Sequence, residues 1–122
     1  MEIENLTFKT EKEYKEFLDY LFSIRDIEYR DFNTKIIIPV DCEIIGIRTP
    51  ILKDMAKKIA KTSSENFLNL FEKLFTKKKV KYYEEKALYG FLIGYSKIDF
   101  QERLKRINFF INIIDNWAVC DI

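Results

Sequence analysis

Apolar residues recur every three or four positions along most of the chain, the period of helices that bury one face. Thr10-Glu11-Lys12-Glu13 reads as a capping box, in which the threonine hydroxyl takes a backbone N–H and Glu13 reaches back. Tyr14, Phe17, Leu18, Leu21 and Phe22 follow at helical spacing and predict a helix to about Arg25. A second helix is predicted from about Ile27 to Ile37, through Tyr29, Phe32 and Lys35-Ile36, ended by Pro39. Residues 38–48, IPVDCEIIGIR, break the period. They have the β-branched residues of a strand, but a lone short strand has no partner. The segment reads as an extended loop packed down by Ile44, Ile45 and Ile47, with Gly46 permitting a tight bend. Thr49 is the expected cap and Pro50 the first residue of a helix to about Lys61. That helix is expected to bury Ile51, Leu52, Met55, Ala56, Ile59 and Ala60, and to present Lys53, Lys57, Lys58 and Lys61 on its other face.

Thr62-Ser63-Ser64-Glu65 predicts a second capping box, followed by a broad stripe of Phe67, Leu68, Leu70, Phe71, Leu74 and Phe75. Lys77-Lys78-Lys79 closes this helix, where positive charge suits the dipole. The next, about Val80 to Tyr95, is almost apolar after Lys86 and reads as the central, most buried helix. Gly90 and Gly94, four residues apart, would let a neighbouring helix approach closely. Asp99 caps a helix through Ile114, and Asp115 or Asn116 caps a last one that begins at Trp117. The pattern predicts an all-α fold of helices in antiparallel pairs, a solenoid or a bundle; without a strict internal repeat, only degenerate repeats fit. An array without a terminal cap leaves an apolar face bare. The ending at Ile122 therefore suggests a truncated array whose bare face could drive self-association, the oligomeric state being left open.

The 122 residues bound the chain to one domain, and 48% apolar content with 16% aromatics argues against disorder. Only 3 Gly and 2 Pro argue against a turn-rich all-β fold. No stretch is long and uncharged enough to span a membrane, and the polar start, with Glu2 and Glu4, suggests a cytoplasmic protein. Cys42 and Cys120 then read as free thiols. The absence of histidine excludes Ser-His triads and histidine-ligated zinc from this segment, and neither metal nor cofactor is called for. The net charge of +1 hides an asymmetry: residues 1–31 hold five bases and nine acids, −4, which leaves +5 for the remainder. This permits an anionic partner such as nucleic acid, although lysine-rich surfaces more often serve solubility.

Trp117, the single tryptophan, stands four residues before Asp121, so on a helix the two share a face. An indole beside a fixed carboxylate can stabilise a cation, while the plainer meanings are a packing tryptophan and a first-turn acid.

Three segments resemble the AlkD-like DNA alkylation repair family, bacterial DNA glycosylases built of HEAT-like helical repeats. Glu43 to Ala60, EIIGIRTPILKDMAKKIA, is similar to the family's loop-into-helix; Tyr83 to Leu88 resembles its next repeat; Asn116 to Asp121 resembles its W-x-x-x-D motif. The likeness covers most of residues 1–122, read as one helical domain forming about the N-terminal half of a family member. It implies excision of cationic N3- and N7-alkyl purines from double-stranded DNA. By position Asp121 matches the catalytic carboxylate and Trp117 the aromatic that packs on the deoxyribose. Arg48, Thr49 and Lys53 fall where the family meets the DNA backbone, and Lys57 and Lys58 extend that face. The Thr49-Pro50 helix start would add backbone N–H groups for a phosphate. Lys35 to Pro39 offers no match for an aromatic the family often carries there. The resemblance also implies that these 122 residues alone bind DNA weakly and release little 7-methylguanine. The competing readings are a non-catalytic HEAT-like scaffold that binds DNA or protein, and a peptide-binding module with an apolar groove.

Overall fold

The computed structural model describes residues 2–36 and 43–113, and side chains outside 32–42 within that span. Among the described residues there are six α-helices and no strand: α1 (Glu11–Ser23), α2 (Ile27–Ile36), α3 (Thr49–Thr62), α4 (Ser64–Thr76), α5 (Tyr83–Tyr95) and α6 (Phe100–Ile113), preceded by a 3-10 turn at Ile3–Asn5. The expected all-α, repeat-type solenoid is the observed architecture. None of these helices is long and apolar enough to cross a membrane.

α5 is the hub. It packs against α3, α4 and α6, and Ala87, Leu88, Tyr89 and Leu92 are fully buried. Phe8, Phe17 of α1 and Phe67 of α4 meet edge-to-face, with Phe8 5.4 Å from Phe17 and 5.0 Å from Phe67. Phe71 of α4 stacks on Tyr89 at 4.5 Å, and Phe75 meets Phe109 of α6 edge-on at 5.7 Å. Arg106 of α6 is buried against α4, donating to Glu72 at 2.6 Å and Asn69 at 2.8 Å, with Glu102 of its own helix at 2.9 Å. The Tyr89 hydroxyl donates to the same Glu72 at 2.7 Å, so one carboxylate ties α4, α5 and α6 together.

The segment expected to lack a strand partner has one contact of that kind. Glu43 and Tyr82 form a parallel bridge, Glu43 N–H to Lys81 C=O at 2.8 Å and Tyr83 N–H to Glu43 C=O at 2.7 Å. The chain therefore runs into α3 and into α5 side by side and in one direction, as successive repeats require.

Several local expectations change. The Thr10 hydroxyl accepts Glu13 N–H at 3.3 Å, but the Glu13 carboxylate takes Thr7 N–H and Thr7 hydroxyl instead of reaching back to Thr10. Arg48, not Thr49, occupies the N-cap position of α3, and its side chain makes no capping hydrogen bond. The box at Thr62–Glu65 does not form: Ser63 lies between α3 and α4 and its buried hydroxyl finds no partner among the described residues. α5 starts at Tyr83, three residues later than predicted. Ile51 is 42% exposed because it lies outside the stripe of Leu52, Met55, Ala56 and Ile59. A Cβ at Gly90 would lie 2.7 Å from Phe110, the expected close approach; at Gly94 it would meet nothing within 4 Å among the described residues. The Asp99 cap stands, accepting Glu102 N–H at 2.8 Å. On α6, Phe100, Leu104 and Ile111 are exposed.

Candidate nucleic-acid interface

The loop leading into α3 is shaped by a side chain from α5. Both oxygens of buried Glu84 accept from this loop: Ile45 N–H at 2.9 Å, Gly46 N–H at 2.9 Å and Ile47 N–H at 3.2 Å. A carboxylate is the side chain suited to three converging donors, since it only accepts. Gly46 sits at φ +110°, and a Cβ there would lie 2.7 Å from Asp26 C=O and 2.8 Å from Arg30 Cβ. Glycine alone fits this turn, which lets the loop touch the start of α2.

This anchoring places Arg48. Its guanidinium pairs with Asp26 at 3.0 Å and lies over the Tyr29 ring at 4.8 Å, yet its side chain remains 56% exposed. Asp26 also caps α2 by accepting Tyr29 N–H at 3.0 Å. That hydrogen bond first, and Arg48 second, hold the Asp26 carboxyl below the usual carboxylate range. Thr49 is half-buried in the first turn of α3. The N–H of Ile51 is already taken by Arg48 C=O at 3.0 Å and Pro50 has none, which leaves Thr49 N–H as the first-turn donor without a partner among the described residues.

Lys53 and Lys57 form a ladder with α5. The Lys53 ammonium lies 5.6 Å from the centre of the Phe91 ring, and that of Lys57 lies 5.6 Å from Tyr95. The offset is constant, 91 − 53 and 95 − 57 both being 38, so α3 and α5 run parallel, close to the 39-residue offset from Glu43 to Tyr82. Each ring attracts an ammonium by about 0.5–1 kcal/mol at an exposed site, a bias toward the ring that leaves the lysine charge at the surface. Lys58 differs: Asp54, one turn back, binds it at 3.2 Å, and this hydrogen bond raises its pKa. Lys57 and Tyr95 also line an open depression of about 540 Å³ with Lys61 and Lys97. Of the five DNA-contacting residues expected from sequence, the structure joins Lys53 and Lys57 with α5, turns Arg48 toward α2, sets Thr49 in the first turn of α3 and pairs Lys58 with Asp54 on α3 itself. Trp117 and Asp121 lie outside the described residues.

Sequence reasoning missed Asp26, Glu84, Phe91, Tyr95 and Lys97. A signal existed for Glu84: two adjacent carboxylates open a helix that is otherwise buried, and buried carboxylates require donors. The profile of the DNA alkylation repair enzyme family matches residues 7–122. The chain belongs to this family. No match to a curated protein and none to a solved structure accompanies it. Membership makes DNA the substrate polymer and alkylation repair the process, and it covers the loop, the ladder and the W-x-x-x-D segment alike.

Proposed function

We propose that the protein is a DNA glycosylase that hydrolyses the N-glycosidic bond of cationic N3- or N7-alkylated purines in double-stranded DNA. The observation that carries the DNA-binding half of this reading is the Lys53–Phe91, Lys57–Tyr95 ladder, in which two exposed ammonium groups of α3 lie beside rings of the parallel α5 in a DNA alkylation repair protein. Such contacts grip phosphate without reading sequence, as a lesion-directed enzyme needs. Arg48 and Thr49 N–H, at the anchored loop, lie at the start of the same helix.

The chemistry assigned to Asp121 and Trp117 follows from the lesion. An alkylated purine already carries positive charge, so the electrons of the breaking C1′–N bond neutralise it and no general acid is needed. The sugar becomes oxocarbenium-like. An ionised Asp121 beside C1′ stabilises that cation and orients the water whose oxygen forms the new bond, its proton passing to solvent. The Trp117 indole adds a cation–π contribution. A glycosylase of this kind works without histidine.

The test is release of 7-methylguanine from methylated duplex DNA by the protein expressed from its native reading frame. Excision is the expected result. Lys53→Glu/Lys57→Glu should lower the slope of log affinity against log salt by about 2. DNA binding with no excision from any alkylated purine substrate would establish the scaffold reading instead.

A further inference from the structure

A second depression, of about 640 Å³, opens between α1 and the turn that joins α4 to α5. Its walls are mainly apolar: Leu18 and Phe22 of α1, Leu74 of α4, and Tyr82. Phe22 and Tyr82 meet edge-to-face at 5.2 Å. Its rim is basic. Lys12 and Lys15 stand one turn apart on α1, facing Lys78 and Lys81 from the turn. The ammonium groups of these four make no ion pair or hydrogen bond among the described residues. A fifth lysine, Lys79, is held by Glu11 at 3.2 Å, and Lys77 by the other Glu11 oxygen at 3.5 Å. Glu85 also lines the depression, but its oxygens are occupied by the Tyr14 hydroxyl at 2.6 Å and by Lys81 and Tyr82 N–H, both at 2.9 Å. Asp19 is the remaining acid, so five lysines against three carboxylates leave the lining at +2.

The backbone at Lys78 marks this turn further. α4 ends in a Schellman motif, with Lys79 N–H on Leu74 C=O at 2.9 Å and Lys78 N–H on Phe75 C=O at 2.9 Å. Lys78 occupies the position that glycine usually fills, at φ +60°. A lysine there works against the local backbone preference and puts an ammonium on the rim.

A site for bare phosphate needs no apolar floor, and a purely hydrophobic site needs no lysine rim. A nucleotide uses both, and the volume suits a small-molecule site. We propose that this depression binds a nucleotide, with the base against the Leu18, Phe22 and Tyr82 floor and the phosphate groups among Lys12, Lys15, Lys78 and Lys81. Base–aromatic contact and a cationic rim are the two elements of sequence-tolerant nucleotide binding. The nucleotide is either free in solution or the end of a single strand. The site shares no residue with the Lys53–Lys57 ladder and does not rest on the glycosylase reading.

The experiment is a calorimetric titration of the whole protein, at low salt, with ATP, adenosine, inorganic phosphate and a short single-stranded oligonucleotide. ATP should bind more tightly than adenosine or phosphate. Lys12→Ala/Lys15→Ala should weaken it about tenfold, through the loss of two exposed ion pairs with phosphate. Lys78→Gly should weaken it about threefold for the same reason, while preserving the Schellman cap, so a folding defect cannot explain the loss. Oligonucleotide binding that the same variants weaken supports the site with a strand end as the source, even where ATP is silent. Phosphate binding as tight as that of ATP, affinity unchanged in both variants, or no binding of ATP and oligonucleotide at millimolar concentration each overturns it. Lys53→Ala/Lys57→Ala, which removes the same charge as Lys12→Ala/Lys15→Ala, should weaken ATP binding much less than that rim variant, which separates this site from the duplex-binding face; an equal loss overturns the proposal.

Discussion

Glu84 fixes the loop that positions Arg48 and the start of α3, so its removal should damage both stability and DNA binding. The residue is 1% exposed and accepts three backbone N–H groups. In Glu84→Ala these donors lose their acceptor in a region where Ile45, Gly46 and Ile47 are all buried. Each orphaned donor costs about 1–3 kcal/mol, partly repaired by entering water, so a total loss of about 3–5 kcal/mol is expected. Glu84→Gln is the finer probe. Its amide oxygen can keep Gly46 and Ile47 N–H, but its NH₂ then faces Ile45 N–H, donor against donor, and about 2 kcal/mol is lost. For a chain of this size about 1 kcal/mol corresponds to roughly 3–5 °C in Tm, so Glu84→Gln should melt roughly 6–10 °C lower. Urea unfolding gives the free energy, and amide hydrogen exchange should show protection lost first at residues 45–47. DNA affinity should fall although a negative charge has been removed, which a simple charge argument predicts in the opposite direction. A Glu84→Gln protein within about 0.5 kcal/mol of the parent, with 45–47 still protected, would refute this reasoning.

Glu85 gives the contrasting result. Burial raises its pKa, so over an interval above the ordinary carboxylate range the folded protein keeps a proton that the unfolded chain has released. The stability this group contributes is full below that range and is lost as pH rises through the raised value. Glu85→Gln keeps an oxygen for Lys81 and Tyr82 N–H and offers NH₂ to the Tyr14 hydroxyl, so urea unfolding between about pH 4 and 8 should show that decline flattened. Gly94→Ala should stabilise by about 0.5–1 kcal/mol and Gly90→Ala should destabilise by about 1–2 kcal/mol, since only the latter meets Phe110. Differential scanning calorimetry of the pair reads this directly. Arg106→Ala should cost about 3–5 kcal/mol by leaving Glu72 beside Tyr89 without its cation, and restoring bulk with Arg106→Met should recover part of the packing but not the pairing.

The helices were legible because Tyr14, Phe17, Leu21 and Leu52, Met55, Ala56, Ile59 repeat the period of a buried face, and these residues are buried. The Gly46 bend was legible because glycine in an apolar loop has few other uses. The buried acids were not, since periodicity says which face a residue occupies and nothing of the partner it meets across 39 residues, as Glu84 meets Ile45. Capping boxes misled for a related reason. The Glu13 carboxylate took both donors of Thr7, six residues back, instead of the Thr10 N–H, and Ser63 was left between two helices that almost abut. Of the site, the lysines of α3 could be named from sequence; that Lys53 and Lys57 lie beside rings one repeat later, and that Lys58 is paired with Asp54, depends on which residues α5 brings alongside.

The central proposal is that the Asp121 carboxylate stabilises the sugar cation while the basic face of α3 holds the DNA. Its most direct test compares parental protein and Asp121→Asn in single-turnover release of 7-methylguanine from duplex DNA, with affinity for the same DNA measured in parallel. The account predicts excision slowed about 100- to 1,000-fold, the size expected for losing one preorganised electrostatic contact, at unchanged DNA affinity. Excision by Asp121→Asn at the parental rate would contradict it.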